Sequence, residues 1–195
     1  MIAIVDYGAG NISSVKKALQ SLGACAEITD NPEMITTATK LVVPGVGHFS
    51  RCEFLNHHLR QPVLEAMDQG KPFLGICVGM QWLFQGSIES PDTPGAGIFA
   101  GECSRFPAGV KSPHVGWNQI EMRSSSRLLR GIDDRAFVYY THSYRAPIVE
   151  QTSASTEYGG QFSAAVERDN VFGVQFHPEK SGTTGLRILE NFCAL

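Results

Sequence analysis

A cysteine stands between two glycines in Gly75-Ile76-Cys77-Val78-Gly79, and 100 residues later a histidine and a carboxylate flank a proline in His177-Pro178-Glu179. Cysteine attacks carbonyl carbons well when a base takes its proton and a turn presents its sulfur. The glycine frame has the logic of a nucleophile elbow, a strand-to-helix turn so tight that its neighbours must be small. At the start of a helix the partial positive charge of the N-terminus favours thiolate. Pro178 biases His177 toward extended backbone, where residues two apart share a side, so His177 and Glu179 are expected together. The set is a candidate triad. Cys77 is the nucleophile, His177 the general base, and Glu179 holds one imidazole nitrogen so that the other faces sulfur. The plainer alternatives are a buried core cysteine for Cys77 and, for His177, a capped strand end beside a surface pair of Glu179 and Lys180.

Two further groups fit the same chemistry. Gln81 lies four residues after Cys77, one helical turn on, so its amide can reach a substrate held over the sulfur. Pro44-Gly45-Val46-Gly47 leaves a strand with two glycines close by, and a backbone N–H of Gly45, Val46 or Gly47 can join that of Val78 in stabilising a tetrahedral oxyanion. An exposed helical glutamine and a plain tight turn are the ordinary readings of these two segments.

The elements that must position these residues read as an α/β pattern: short branched apolar runs alternating with amphipathic stretches, the signature of a mostly parallel sheet flanked by helices. Strands are expected at Ile2 to Val5, Cys25 to Thr29, Leu41 to Val43 and Pro72 to Ile76. Helices are expected over residues 12 to 22, closed by Gly23; from Asn31-Pro32, with Asn as cap; from Pro62; and after Cys77. From about Pro91 the chain is rich in Gly and Pro. There Val115 to Met122, Ala136 to Tyr144, Ala164 to Val166 and Val171 to Phe176 read as strands of a smaller, partly antiparallel region. Thr183 to Phe192 reads as the closing helix, and Ser124 to Ser126 as a loop capping a short helix. The expectation is a single three-layer α/β domain over residues 1–195.

Composition narrows the classes of function. With 195 residues and 43% hydrophobic ones, the chain has enough core to fold without disulfides or a structural metal. A net charge of -3, with 18% charged residues, argues against nucleic acid as partner. No apolar run approaches the roughly 20 residues of a membrane span, and the N-terminus has no basic leader, so a cytosolic location is expected. Five cysteines without a C-x-x-C pair suit free thiols in a reducing compartment. Cys25, Cys52, Cys103 and Cys193 lack the glycine frame and read as structural. His57 and His58 are adjacent, diverge on a helix and have no acidic or cysteine ligand at metal spacing, so neither a metal nor a cofactor is expected.

Gly75-Ile76-Cys77-Val78-Gly79-Met80-Gln81 and His177-Pro178-Glu179 resemble the signature segments of the class I, or triad, glutamine amidotransferases, G-I-C-L-G-M-Q and H-P-E, and the resemblance spans nearly the whole chain. Val78 departs from the usual Leu, but only its backbone N–H has a role. Pro44 to Phe49, Pro113-His114-Val115-Gly116-Trp117-Asn118 and Thr141-His142-Ser143-Tyr144 are similar to the branch that feeds a cyclase of histidine biosynthesis, with Val115 where Met is common.

This resemblance implies that glutamine is hydrolysed through a cysteine thioester, with His142 and Ser143 binding the substrate's amino and carboxylate ends. It implies that ammonia crosses into a separate (β/α)8-barrel cyclase making imidazole glycerol phosphate and AICAR, since a barrel of roughly 250 residues does not fit in this chain. It further implies that Asn11, Trp117, Tyr139 and Lys180 face that partner, and that the Pro44 to Gly47 loop becomes competent only when the cyclase site is occupied. Core packing for Trp117 and Tyr139, and a solvated charge for Lys180, are the alternatives. Three other functions compete: the glutaminase of another synthase, a free-standing γ-glutamyl hydrolase, and a non-catalytic regulatory subunit of the same fold.

Overall fold

The structure is a computed structural model that describes residues 1–195. Its first half follows the βα alternation of the sequence. Strand β1 (Ile2–Val5) consists of four buried residues, as expected of a strand covered on both faces. In α1 (Ile12–Ser21) Val15 and Leu19, one turn apart, are buried, and Gly23 takes φ +78° beyond its C-terminus. After β2 (Ala26–Thr29), helix α2 (Pro32–Thr37) opens with the Asn31 side chain accepting the Glu33 N–H at 2.8 Å and proline in the first turn. Strand β3 (Lys40–Gly45) runs two residues beyond Val43 and carries the chain into the Gly45 to Gly47 turn.

The next helix begins earlier than Pro62. A short α3 (Cys52–Phe54) and a π-helical turn (Leu55–Leu59) precede α4 (Arg60–Asp68), and Pro62 occupies the first turn of α4. There a missing N–H breaks no bond of α4 itself, so the proline sits within a longer helical path. Strand β4 (Phe73–Cys77) then meets α5 (Val78–Trp82) at the candidate elbow.

In the second half β5 (Gly86–Ser87), β6 (Glu102–Arg105), β7 (His114–Gln119), β8 (Glu121–Met122), β9 (Phe137–His142), β10 (Tyr144–Arg145), β11 (Thr152–Glu157), β12 (Gln161–Arg168) and β13 (Val171–Val174) lead to α6 (Gly182–Ala194). The runs expected as single strands over Val115 to Met122 and Ala136 to Tyr144 are each divided between two sheets. Strand β11 was not expected, because Thr-Ser-Ala-Ser-Thr-Glu has no apolar periodicity. Two of its buried hydroxyls are paired, Thr152 Oγ1 with Ser163 Oγ at 2.7 Å and Thr156 Oγ1, which donates to Gln119 O at 2.9 Å, whereas those of Ser153 and Ser155 have no partner. Ser126 does cap, its Oγ accepting from Leu129 N–H at 3.0 Å, but what it caps is a turn and not a helix.

The eight-stranded main sheet has the order β2-β1-β3-β4-β13-β12-β11-β8. Its first five strands are parallel and the last three join antiparallel. Smaller sheets, β10-β6-β5 and β7-β9, complete the α/β architecture. Helix α1 packs on α6 and α2 on α4. Two registers matter for the site. Gly45 lies opposite Cys77 between β3 and β4, and Val174 lies opposite Ile76 between β13 and β4. The segments after β3, β4 and β13 therefore emerge side by side at the carboxyl ends of parallel strands, where open α/β sheets hold their ligands.

Candidate active site

Cys77 ends β4 with φ +54° and ψ −106°, a conformation an L residue adopts only under strain. Both glycines of the frame are required by contact. A Cβ on Gly79 would lie 1.7 Å from Val43 O, and one on Gly75 would lie 2.6 Å from Gly79 O. The elbow is thus pressed against β3 and against the first turn of α5, and no larger residue fits either position.

The register of β13 on β4 carries the chain past Cys77 to His177, which is 1% exposed. Its N–H donates to Tyr139 O at 2.9 Å, and its carbonyl accepts from Ser181 Oγ at 2.7 Å, so β9 and the start of α6 fix the backbone on both sides. Nδ1 donates to Glu179 Oε1 at 2.9 Å. His177 is extended as expected, but Pro178–Lys180 form a 3-10 turn; this turn, and not a shared strand face, brings Glu179 back to the ring. With Nδ1 committed, Nε2 has no other partner and is the nitrogen left for Cys77. Burial alone would lower the His177 pKa; the Cys77 sulfur and the Glu179 carboxylate outweigh it and raise the value to about 10, so the imidazolium is favoured beside them. Asn11 Nδ2 donates to the same Glu179 Oε1 from the start of α1.

Cys77 opens into a cavity of about 250 Å³ lined also by Gly47, Val78, Gln81, Glu89, Thr141, His142 and Ser143. Of the candidate oxyanion groups, Gly47 and Val78 line this cavity, whereas Gly45 does not and is packed so closely that a Cβ there would fall 2.1 Å from the Tyr7 hydroxyl. Val46 is likewise not in its wall. Gln81 is buried rather than exposed, its Nε2 donating to Tyr144 O at 2.9 Å and to Gln175 Oε1 at 3.1 Å.

His142 also reaches the cavity, but its ring nitrogens are both engaged. Nδ1 pairs with Tyr144 O at 2.8 Å and Nε2 with His114 Nδ1 at 3.1 Å. Since a carbonyl only accepts, Nδ1 carries the proton and Nε2 accepts from His114. Burial lowers the His142 pKa to about 3 and that of His114 to about 4, so the pair is neutral. The ring has no free hydrogen-bonding atom for a substrate, and what His142 offers the cavity is ring carbon and backbone.

Two residues of the site escaped the sequence reading. Glu89 places a carboxylate in the cavity wall, anchored by the Phe49 N–H at 2.9 Å. Gln175, fully buried, donates from Nε2 to Cys77 Sγ at 3.6 Å. The signal for Gln175 was its position, two before His177 and immediately after β13; Glu89 lies in an irregular turn with no pattern to mark it.

The remaining thiols differ from Cys77. Burial pushes those of Cys52 and Cys103 well up, and negative neighbours push them further, so both are unreactive; Cys25 is exposed rather than packed, and Cys193 is half-buried. Trp117, Tyr139 and Lys180 gather beside the His177 segment. Trp117 is 55% exposed and meets the half-buried Tyr139 edge-to-face at 6.0 Å, while Lys180 is exposed on the 3-10 turn. Trp117 is therefore not core packing.

Comparison with known proteins gives one consistent result. The family described as "Glutamine amidotransferase class-I" matches residues 3–195. A protein of Thermococcus kodakarensis named "Imidazole glycerol phosphate synthase subunit HisH" is 48% identical, over 98% of both chains. One of the same name from Methanothermobacter thermautotrophicus is 46% identical, over 98% of this chain and 97% of its own. Among solved structures, one described as a glutamine amidotransferase superposes with a TM-score of 0.77 at 20% identity, covering 100% of this chain and 98% of the other. PurLQS from Thermotoga maritima reaches 0.73 at 18% identity, covering 99% and 97%.

Proposed function

This chain belongs to the class I glutamine amidotransferases, and from that premise we propose that it is the glutaminase subunit of an imidazole glycerol phosphate synthase, acting in histidine biosynthesis. The whole chain works as one domain. The observation that carries the chemistry is the strained Cys77 together with His177, whose Nδ1 is held by Glu179 and whose Nε2 is left unpartnered.

The Cys77 thiolate attacks the side-chain amide carbon of glutamine. The developing oxyanion takes hydrogen bonds from the Val78 N–H and from one N–H of the Gly45 to Gly47 turn, where Gly47 is the residue in the cavity wall. His177 protonates the departing nitrogen, ammonia leaves and a glutamyl thioester remains. Water, deprotonated by His177, then releases glutamate and restores the thiolate. Gln81 and Ser143 hold the substrate; His142 helps through its backbone, since its ring nitrogens are occupied. Glu89 is the group in the wall whose charge suits the α-ammonium of glutamine.

Ammonia then crosses into a (β/α)8-barrel cyclase, a separate chain forming a heterodimer with this one, which yields imidazole glycerol phosphate and AICAR. Asn11, Trp117, Tyr139 and Lys180 supply the facing surface, a reading supported by the exposed Trp117 indole and the exposed Lys180 side chain. A cytoplasmic location is part of the same proposal and is supported by the five free thiols, which suit a reducing compartment.

The test is glutamate production from glutamine by this chain alone and mixed with a barrel cyclase and its ribonucleotide ligand. Activity that is low alone and rises by orders of magnitude in the mixture supports the reading. High activity indifferent to the cyclase points instead to a free-standing hydrolase.

A further inference from the structure

Gln175 lies inside the site and has no role in the mechanism above. Its surroundings define which of its amide atoms points where. Tyr144 O can only accept, so the Gln81 atom 2.9 Å from it must be nitrogen. The second hydrogen of that nitrogen is directed at Gln175, 3.1 Å away, so the Gln175 atom there must be its oxygen. The Gln175 nitrogen is left facing Cys77 Sγ at 3.6 Å. A single carbonyl thus sets the orientation of two amides and ends the chain on the reacting sulfur. Gln175 and Gln81 are 0% and 2% exposed, so neither amide exchanges its partner for water.

The chain also determines what Gln81 presents. Both hydrogens of its nitrogen are used, and Oε1, on a side chain that lines the cavity, has no hydrogen bond from the protein. A substrate group meeting Oε1 must donate. The carboxamide NH2 of glutamine does so; the carboxylate of glutamate at the same place repels it.

We propose that Gln175 is a positioning residue with two outputs: it donates a hydrogen bond to the Cys77 thiolate, and its oxygen locks Gln81 with the carbonyl toward the substrate amide, so that the site selects amide over carboxylate. This deepens the proposed glutaminase reading and rests on it. A Gln81 free to turn over would offer NH2 to the product as readily as oxygen to the substrate, and product would compete with substrate. The hydrogen bond to sulfur acts mainly on the charged form, where such bonds are strongest.

Two near-isosteric substitutions separate the outputs. Gln175→Met removes donor and acceptor together. Gln175→Glu keeps an acceptor for Gln81 and loses the amide donor to sulfur. Each variant is checked for folding by its thermal transition, and Gln175→Glu carries the test alone if the Met variant does not fold. Iodoacetamide alkylation of the Cys77 peptide is followed by mass spectrometry at pH 7 and at pH 10, and KM for glutamine and inhibition by glutamate are measured with the cyclase partner present.

Both variants are expected to lower the ratio of the pH 7 to the pH 10 alkylation rate, by about tenfold in Gln175→Met, the effect of one charge-assisted hydrogen bond. Gln175→Met is also expected to raise KM and to strengthen inhibition by glutamate, whereas Gln175→Glu keeps KM near that of the unaltered chain. Folded variants that alkylate like the unaltered chain at both pH values overturn the proposal. The parent reading fails separately: if glutamine does not protect Cys77 of the unaltered chain from alkylation, the glutaminase assignment is wrong whatever the variants do.

Discussion

Asn11 and His177 donate to one oxygen, Oε1 of Glu179. Asn11 itself is held in the left-handed region, φ +73°, at the entry to α1. Its amide therefore comes from a rigid corner, and Glu179 has little freedom to turn away from the imidazole. Asn11→Gly keeps the backbone conformation and removes only the amide. Losing one side-chain hydrogen bond of about 1 kcal/mol to the group that orients the base is expected to lower kcat roughly fivefold, with KM for glutamine little changed. Steady-state kinetics of the complex with the cyclase checks it; a changed KM with constant kcat would place Asn11 in binding instead.

The strain at Cys77 predicts an opposition between stability and activity. A non-glycine residue in this conformation costs on the order of 1–3 kcal/mol. Cys77→Gly, which abolishes glutaminase activity, is accordingly expected to be more stable than Cys77→Ala by about 1 kcal/mol in urea unfolding, because only glycine relaxes there. The adjoining glycines behave in the opposite way. In Gly79→Ala the new methyl must displace Val43 O from 1.7 Å, and soluble folded protein is not expected. Equal stability of the Gly and Ala variants at Cys77 would show that the turn stores no strain.

Glu89 tests how glutamine is held. Its carboxylate lines the cavity and is positioned by the Phe49 N–H. Glu89→Gln keeps an oxygen for that N–H and removes the charge. KM for glutamine is expected to rise by about tenfold or more with kcat little affected, because a charge-assisted hydrogen bond to the ammonium is made in ground and transition states alike. An equal drop in kcat would mean that Glu89 acts on the reacting end.

The main features of the site were legible because they depend on local geometry. Glycines around Cys77, and a proline after His177, mark turns that few other residues can make, and the βα alternation indicates that such turns gather at the ends of parallel strands. The adjacency of β13 and β4 was not legible, since two buried apolar strands carry no mark of which neighbours which. Gln175 was missed with it, for its role exists only in that register. Strand β11 was missed for a different reason: its side chains have no apolar period, and the partners of Thr152 and Thr156 lie on other strands, β12 and β7, which no local pattern announces. The Glu179 pairing was expected for the wrong cause, a strand face, where a 3-10 turn makes it. That the ring nitrogens of His142 are occupied was not legible either, because the engagement by His114 arises only when β7 pairs with β9.

That histidine pair and His177 together predict a stability profile with two arms. Burial lowers His142 to about 3 and His114 to about 4, against an ordinary value of 6.5. Between those limits the unfolded chain binds more protons than the folded one, so stability falls as pH drops below about 6.5, by roughly 1.4 kcal/mol per pH unit for each proton excluded. His177 has the opposite sign. Burial lowers its pKa, but the Cys77 sulfur and Glu179 together raise it to about 10, so its contribution is fully present below about 6.5 and is lost as pH rises toward 10. Urea unfolding across pH 4 to 10 should trace a maximum near neutrality. In Cys77→Ala the alkaline loss should shrink, because the sulfur is the first of the influences raising His177, while the acid loss persists. An alkaline arm unchanged in that variant would show that Glu179 alone holds the His177 proton, and that the sulfur and imidazole do not form the ion pair on which the attack on glutamine depends.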